Sequence, residues 1–138
     1  MLKKLNYQFV ISYLGLIPFL IILLDKFFLK YFDYNIVRDF SILYSIIIFV
    51  FIGAINWNLR KNISLIKAFY GFWPSLTSVI ILVMFLNSYK VINYIVIFYI
   101  IQLVFDKFIY KERENAVYYQ LRIPLTIIII MSLKFIQL

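Results

Sequence analysis

The sequence contains no cysteine and no histidine. The lack of cysteine excludes disulfides, thiol nucleophiles and the cysteine spacings of zinc sites. The lack of histidine excludes imidazole as a general base, a proton carrier or a metal ligand. Acidic residues number six in 138, so acid–base chemistry would have to use those carboxylates, a lysine, a tyrosine or a bound ligand. The composition therefore predicts no catalytic residue, no cofactor and no metal site.

Charged residues make up only 14% of the chain and hydrophobic residues 65%. A soluble domain has about 25% charged residues, so this composition cannot cover a water-exposed surface. The net charge of +8 does not indicate nucleic-acid binding, because no basic run exceeds two residues. Cations beside apolar segments are instead typical of anchoring to anionic lipid headgroups. The predicted environment is the lipid bilayer.

Five segments approach the roughly 20 apolar residues that a spanning helix needs. They cover approximately residues 8–24, 40–57, 69–86, 91–110 and 118–136. We expect an all-α polytopic membrane protein, a bundle of about five transmembrane helices with short connections that forms one membrane domain over residues 1–138. The start MLKK also resembles a signal peptide, but no small-residue cleavage site follows Leu24, so we interpret the first segment as a retained span.

Cations are unequally divided between the two predicted sides of the bundle. Nine lie at the N-terminus and in the second and fourth connections, and five lie on the opposite side. The positive-inside rule then predicts that the N-terminus is inside and the C-terminus outside.

Polar and small residues in the spans are expected to face other helices, because hydrocarbon cannot satisfy polar groups. In the second span, Gly53 would let a neighbouring backbone approach, Asn56 would form a hydrogen bond across that contact, and Trp57 would lie at the interface. A ligand-binding role for Asn56 is the alternative. In the third span, Gly71 and Ser75 form a small-residue pair typical of helix packing.

Two prolines are expected to shape their helices differently. Pro18 lies deep in the first span and should kink it. Pro74 lies close to the predicted start of the third span, where a missing N–H costs little.

The fourth and fifth spans each carry polar residues spaced to share one helix face. These are Tyr99, Gln102 and Asp106 in the fourth, and Tyr119, Arg122 and Thr126 in the fifth. A short connection joins the two helices, so Asp106 and Arg122 lie near the same side and could form an ion pair within about 4 Å. A proton or substrate role for Asp106 and simple interfacial exposure are the alternatives.

Four blocks in order carry a family resemblance: YLGLIPFL (13–20), YSIIIFVFIGAINWNL (44–59), FWPSL (72–76) and YQLRIPLTIIIIMSL (119–133). Together they resemble the transmembrane protein 69 family, also called domain-of-unknown-function family 3429. The resemblance implies an inner-membrane protein, bacterial or mitochondrial, with about five spans and no established biochemical activity.

Several positions match the family blocks: Tyr13, Gly15, Pro18, Gly53, Trp57, Pro74, Ser75, Arg122, Pro124 and Thr126. Outside the blocks, Asp106 matches the acid of the family's fourth span. One position within the blocks departs from them, because Asn56 stands where the family block has histidine. An amide can form hydrogen bonds but cannot shuttle protons. The substitution therefore favours a structural role at that position.

Three functions fit these features. The favoured hypothesis is a non-catalytic accessory, scaffold or assembly component of a membrane complex, whose partner is another membrane protein or a second copy. A small transporter or channel is the first alternative. A membrane enzyme acting on a lipid or quinone is the second, although it would have to work without histidine or cysteine.

Overall fold

The computed structural model describes residues 7–55, 62–109 and 118–138. These residues form helices, and no strand occurs among them. The helices are α1 (Tyr7–Leu14), α2 (Ile17–Leu24), α3 (Tyr34–Ala54), α4 (Leu65–Leu86), α5 (Ile92–Ile109) and α6 (Ile123–Gln137). A π-helical turn, Asp25–Leu29, continues α2, and a second, Tyr118–Arg122, leads into α6.

Five helical stretches are long and apolar enough to cross a membrane. They are Val10–Leu29, Tyr34–Ala54, Leu65–Leu86, Ile92–Ile109 and Tyr118–Gln137, with mean hydropathies of 1.5 to 2.0. An α-helix rises 1.5 Å per residue, so even the shortest, with 18 residues, is about 27 Å long, close to the hydrocarbon thickness of a bilayer. The predicted all-α class with five long apolar helices is confirmed.

The first stretch passes through Asp25 and Lys26, although it was expected to end at Leu24. Both charges are satisfied by backbone groups. The Asp25 carboxylate accepts hydrogen bonds of 3.1 Å from the N–H groups of Tyr31 and Phe32. The Lys26 ammonium donates to the carbonyls of Phe135 at 2.7 Å and Ile136 at 2.6 Å. The helical stretch therefore continues past these two charged residues, because backbone groups compensate both charges.

The first stretch is interrupted at Gly15 and Leu16, between α1 and α2. Pro18 occupies the first turn of α2, and its missing N–H accounts for a break in the hydrogen-bond ladder immediately before it. The Tyr44 hydroxyl of α3 donates to the Gly15 carbonyl at 2.6 Å. A side chain of the neighbouring helix thus occupies a backbone acceptor at the break.

Pro74 lies well inside α4, so the prediction that it lies near the helix start is wrong. The helix begins earlier than expected, at Leu65, because Ser64 caps it by accepting a hydrogen bond from the Lys67 N–H. Thr77 donates its hydroxyl to the Pro74 carbonyl at 3.1 Å. This bond does not replace the one lost at the proline, which would have run from the residue 74 N–H to the Tyr70 carbonyl four residues earlier.

Helices α3 and α4 approach each other closely at Gly53. A Cβ atom at this position would lie 2.7 Å from the Gly71 carbonyl oxygen and 2.7 Å from Pro74 Cγ. Both neighbours are rigid, one a backbone atom and the other a ring atom. Gly53 therefore leaves the space into which α4 packs.

The interior of the bundle is filled by large apolar side chains, with Phe19, Phe49, Ile129 and Leu133 among them. The Phe49 and Tyr99 rings pack with centroids 5.1 Å apart, and the Tyr99 hydroxyl donates to the Ser45 carbonyl at 2.7 Å. Apolar side chains also cover the outside of all five stretches, for example Leu20, Ile47, Val79, Ile97 and Ile127. An outer surface of this kind suits hydrocarbon and not water.

Candidate functional site

Asp106 of α5 is almost completely buried, with 1% of its surface exposed. Its carboxylate contacts side chains of α4 and of the turn that precedes α6. Arg122 Nε donates a hydrogen bond of 2.9 Å to Asp106 Oδ2, and Arg122 Nη2 lies 2.8 Å from the same oxygen. The ion pair predicted from the sequence is therefore present. Both partners of the ion pair are buried, since the arginine side chain is 6% exposed and the aspartate side chain 2%.

The second carboxylate oxygen is held by a helix that sequence reasoning did not connect to it. Tyr70 of α4 donates its hydroxyl to Asp106 Oδ1. The same hydroxyl accepts a hydrogen bond of 2.9 Å from Gln102 Nε2. We call Tyr70, Gln102, Asp106 and Arg122 the polar cluster. It joins three of the five long helical stretches through hydrogen bonds and one ion pair.

Each side chain of the polar cluster is positioned by its helix register. Gln102 and Asp106 are one turn apart on α5 and, with Tyr99, form its buried polar face, as predicted from their spacing. Tyr70 lies on the buried stripe of α4 that also holds Pro74 and Thr77. A tyrosine on such a stripe needs a partner for its hydroxyl, which was the one signal in the sequence that could have singled it out.

The predicted face of the fifth span is corrected at Tyr119. This side chain is 57% exposed, whereas Tyr118 is buried and donates its hydroxyl to the Leu103 carbonyl at 3.2 Å. The reason is the π-helical turn Tyr118–Arg122, which has more residues per turn than an α-helix. An α-helical projection therefore assigns Tyr119 to the interior when the interior position belongs to Tyr118.

The polar cluster offers little for catalysis or metal binding. Its only carboxylate contacts a guanidinium and a tyrosine hydroxyl, so it is already neutralised and hydrogen-bonded. No group of three or more acidic, histidine or cysteine residues lies close enough to hold a metal ion within the described ranges. The Gln102 carbonyl oxygen, Oε1, is buried without a hydrogen-bond donor. The geometry suits a tie between helices better than a reacting centre.

The remaining candidate residues lie apart from the polar cluster. Tyr13 donates its hydroxyl to the Gln120 carbonyl, which ties α1 to the turn before α6. Ser75 is half-buried in α4, and Thr126 is buried in α6. Pro18 belongs to the break before α2, and Gly53 to the contact between α3 and α4. Asn56 and Trp57 lie outside the described residues.

A family model described as Protein of unknown function (DUF3429) matches residues 6–137. The chain belongs to this family. The matched residues include the whole polar cluster of this DUF3429 member. The match confirms the resemblance to domain-of-unknown-function family 3429 that was found in the sequence. Neither the curated proteins nor the solved structures that were compared with the chain give a match.

Removing the Tyr70 hydroxyl with Tyr70→Phe is expected to lower the free energy of unfolding by about 1–3 kcal/mol, because Asp106 Oδ1 and Gln102 Nε2 both lose a buried partner. Reversible unfolding in mixed detergent and SDS micelles measures the loss. Tyr94→Phe is the matched control, since Tyr94 is 48% exposed, and a change of under about 0.5 kcal/mol is expected. Equal losses in the two variants would contradict the role given to Tyr70.

Proposed function

We propose that this DUF3429 protein spans a membrane and acts without catalysis, as an accessory or assembly component of a larger membrane complex. The observation that carries this proposal is the use of buried charge. In the described part of the chain, the buried charged side chains are Asp25, Asp106 and Arg122. Each contacts protein groups that compensate its charge, so their geometry supports a structural role.

Transport is the runner-up, and the position of the cavities argues against it. Transporters usually bind substrate near the bilayer midplane, beside charges or broken helices. Two cavities among the described residues lie at one end of the bundle and on the outer surface of α6, and neither is lined by the side chains that fill the buried centre. The buried centre is filled with side chains such as Phe49 and Tyr99. An enzyme acting on a lipid or quinone is supported still less, because Asp106, the only buried carboxylate among the described residues of α4 and α5, is held by Arg122 and Tyr70.

The same proposal covers the type of membrane, the orientation of the chain in it and the likeness to the transmembrane protein 69 family. We place the chain in a bacterial inner membrane, or in the mitochondrial inner membrane of a eukaryote, as the likeness to the transmembrane protein 69 family implies. Five helical stretches of spanning length would put Tyr7 and Leu138 on opposite sides. The distribution of cations favours the N-terminal side as the inside.

The proposal is tested by extracting the tagged full-length protein in mild detergent and identifying stoichiometric partners by sizing and quantitative mass spectrometry. A photo-crosslinking amino acid at the exposed Ile97 of α5 then reports direct contacts, and the same amino acid at the buried Ile95 is the control. We expect one defined membrane complex, and we expect its amount to fall in cells that lack this chain.

The opposite result has an equally definite form. A monodisperse particle without a protein partner would overturn the accessory role, particularly if reconstituted liposomes showed a solute flux. Loss of that flux in Asp106→Asn, with the fold retained, would establish transport instead. Turnover of a lipid or quinone by the purified particle would establish the enzyme.

A further inference from the structure

A cavity of about 580 Å³ lies at the end of the bundle opposite the polar cluster. It is found where α3 begins, α4 ends, α5 begins and α6 ends. Its polar lining includes Tyr34, Arg38, Asp39, Tyr89 and Lys90. Apolar side chains, Ile42 and Phe85, continue the wall towards the bundle. The cavity opens at the protein surface and is thus accessible to a ligand.

The charges of the lining favour an anion. Arg38 and Lys90 contribute two positive charges, and Asp39 contributes one negative charge. The Arg38 guanidinium contacts Asp39 Oδ1 through Nε and Nη2, both at 2.8 Å, so part of the guanidinium fork is left for another acceptor. Lys90 is exposed, and no ion pair or hydrogen bond of its side chain is found within the described ranges. The first turn of α5, which also borders the cavity, adds the favourable end of a helix dipole.

The position of the cavity favours a lipid as the source of the anion. It lies at the ends of four apolar stretches, the depth at which phospholipid headgroups would lie if the helices span the membrane as proposed above. Tyr34 and Tyr89 are 48% and 62% exposed there, and tyrosines concentrate at this depth of the bilayer. An acyl chain attached to the ligand would continue along the apolar outer surface.

We propose that this cavity binds the phosphate of an anionic phospholipid headgroup through Lys90 and Arg38. Lys90 supplies a mobile point charge, and Arg38 supplies the guanidinium N–H donors that Asp39 leaves unoccupied. Asp39 limits the affinity, because its carboxylate repels the phosphate and competes for the same guanidinium. This inference depends on the membrane location proposed above, but not on a protein partner.

Binding is tested on the purified full-length protein by native mass spectrometry, titrated with phosphatidylglycerol and, for comparison, phosphatidylcholine. We expect phosphatidylglycerol to bind more tightly. Lys90→Gln and Arg38→Gln should each weaken its binding about fivefold, since a basic residue near the headgroups contributes about that factor. Asp39→Asn should tighten binding, a gain that damage to the fold would not produce.

Lys30→Gln is the matched control, because Lys30 is an exposed cation at the same end of the bundle but does not line the cavity. It should leave the binding of phosphatidylglycerol unchanged. The site assignment is overturned if Lys90→Gln and Lys30→Gln have the same effect, or if Asp39→Asn weakens binding. Glycerol phosphate at the same concentration distinguishes the source of the phosphate: binding as tight as that of the lipid would overturn a membrane ligand in favour of a soluble one.

Discussion

Arg122→Leu is expected to lower the free energy of unfolding by about 3–5 kcal/mol, because it leaves the Asp106 carboxylate buried without its counter-charge. The double variant Asp106→Leu, Arg122→Leu should lose less than Arg122→Leu alone, since it removes both charges and puts apolar groups in their place. Unfolding in mixed micelles, combined as a double-mutant cycle, measures the coupling between the two residues.

The exposed ion pair of Arg38 and Asp39 provides the control for this cycle. Its side chains are 39% and 41% exposed, so Arg38→Gln should change the free energy of unfolding by no more than about 1 kcal/mol. If Arg122→Leu cost no more than Arg38→Gln, the buried pair would not hold the helices together. The non-catalytic role proposed above would then lose its main support.

Gly53→Ala is the second large effect expected, and it reverses the usual trend. Within a helix, alanine is normally favoured over glycine by about 1 kcal/mol. Here the added methyl group would lie 2.7 Å from both the Gly71 carbonyl oxygen and Pro74 Cγ, so α3 and α4 must separate. We expect a net loss of about 1–3 kcal/mol in the free energy of unfolding, the usual cost of overpacking.

The adjacent residue gives a matched control in the same helix turn. Ala54 is exposed, so Ala54→Leu adds a larger volume on the outer surface without meeting α4. Its free energy of unfolding should change by under about 0.5 kcal/mol. A stabilising Gly53→Ala would show that the contact between α3 and α4 can relax, and would contradict the close approach described for these helices.

The features that a helical period determines could be predicted from the sequence. Asp106 and Gln102 share a buried face because their spacing matches one turn of a regular helix. The contact of Asp106 with Arg122 followed from their positions on either side of one short connection. The five long apolar helices followed from hydropathy alone. In each case the information lies within one helix or between two that are consecutive in the chain.

The remaining features depend on packing between helices distant in sequence, or on local departures from the regular period. Tyr70 reaches Asp106 from 36 residues away, and no spacing within α4 states which neighbour its hydroxyl faces. The exchange of Tyr119 for Tyr118 comes from a π-helical turn that an α-helical projection cannot represent. The position of Pro74 in its helix was predicted wrongly because the start of α4 depends on the Ser64 cap, which lies before the apolar segment that was expected to begin at residue 69.

The ties between the first and fifth helical stretches have a consequence for biosynthesis. The Lys26 ammonium donates to the carbonyls of Phe135 and Ile136, and the Tyr13 hydroxyl to that of Gln120, across more than a hundred residues in each case. During translation, Lys26 therefore leaves the ribosome long before its acceptors are made. The first helical stretch therefore lacks these contacts while the rest of the chain is synthesised. The hydrogen bonds of Lys26 can form only after residue 136 has been added.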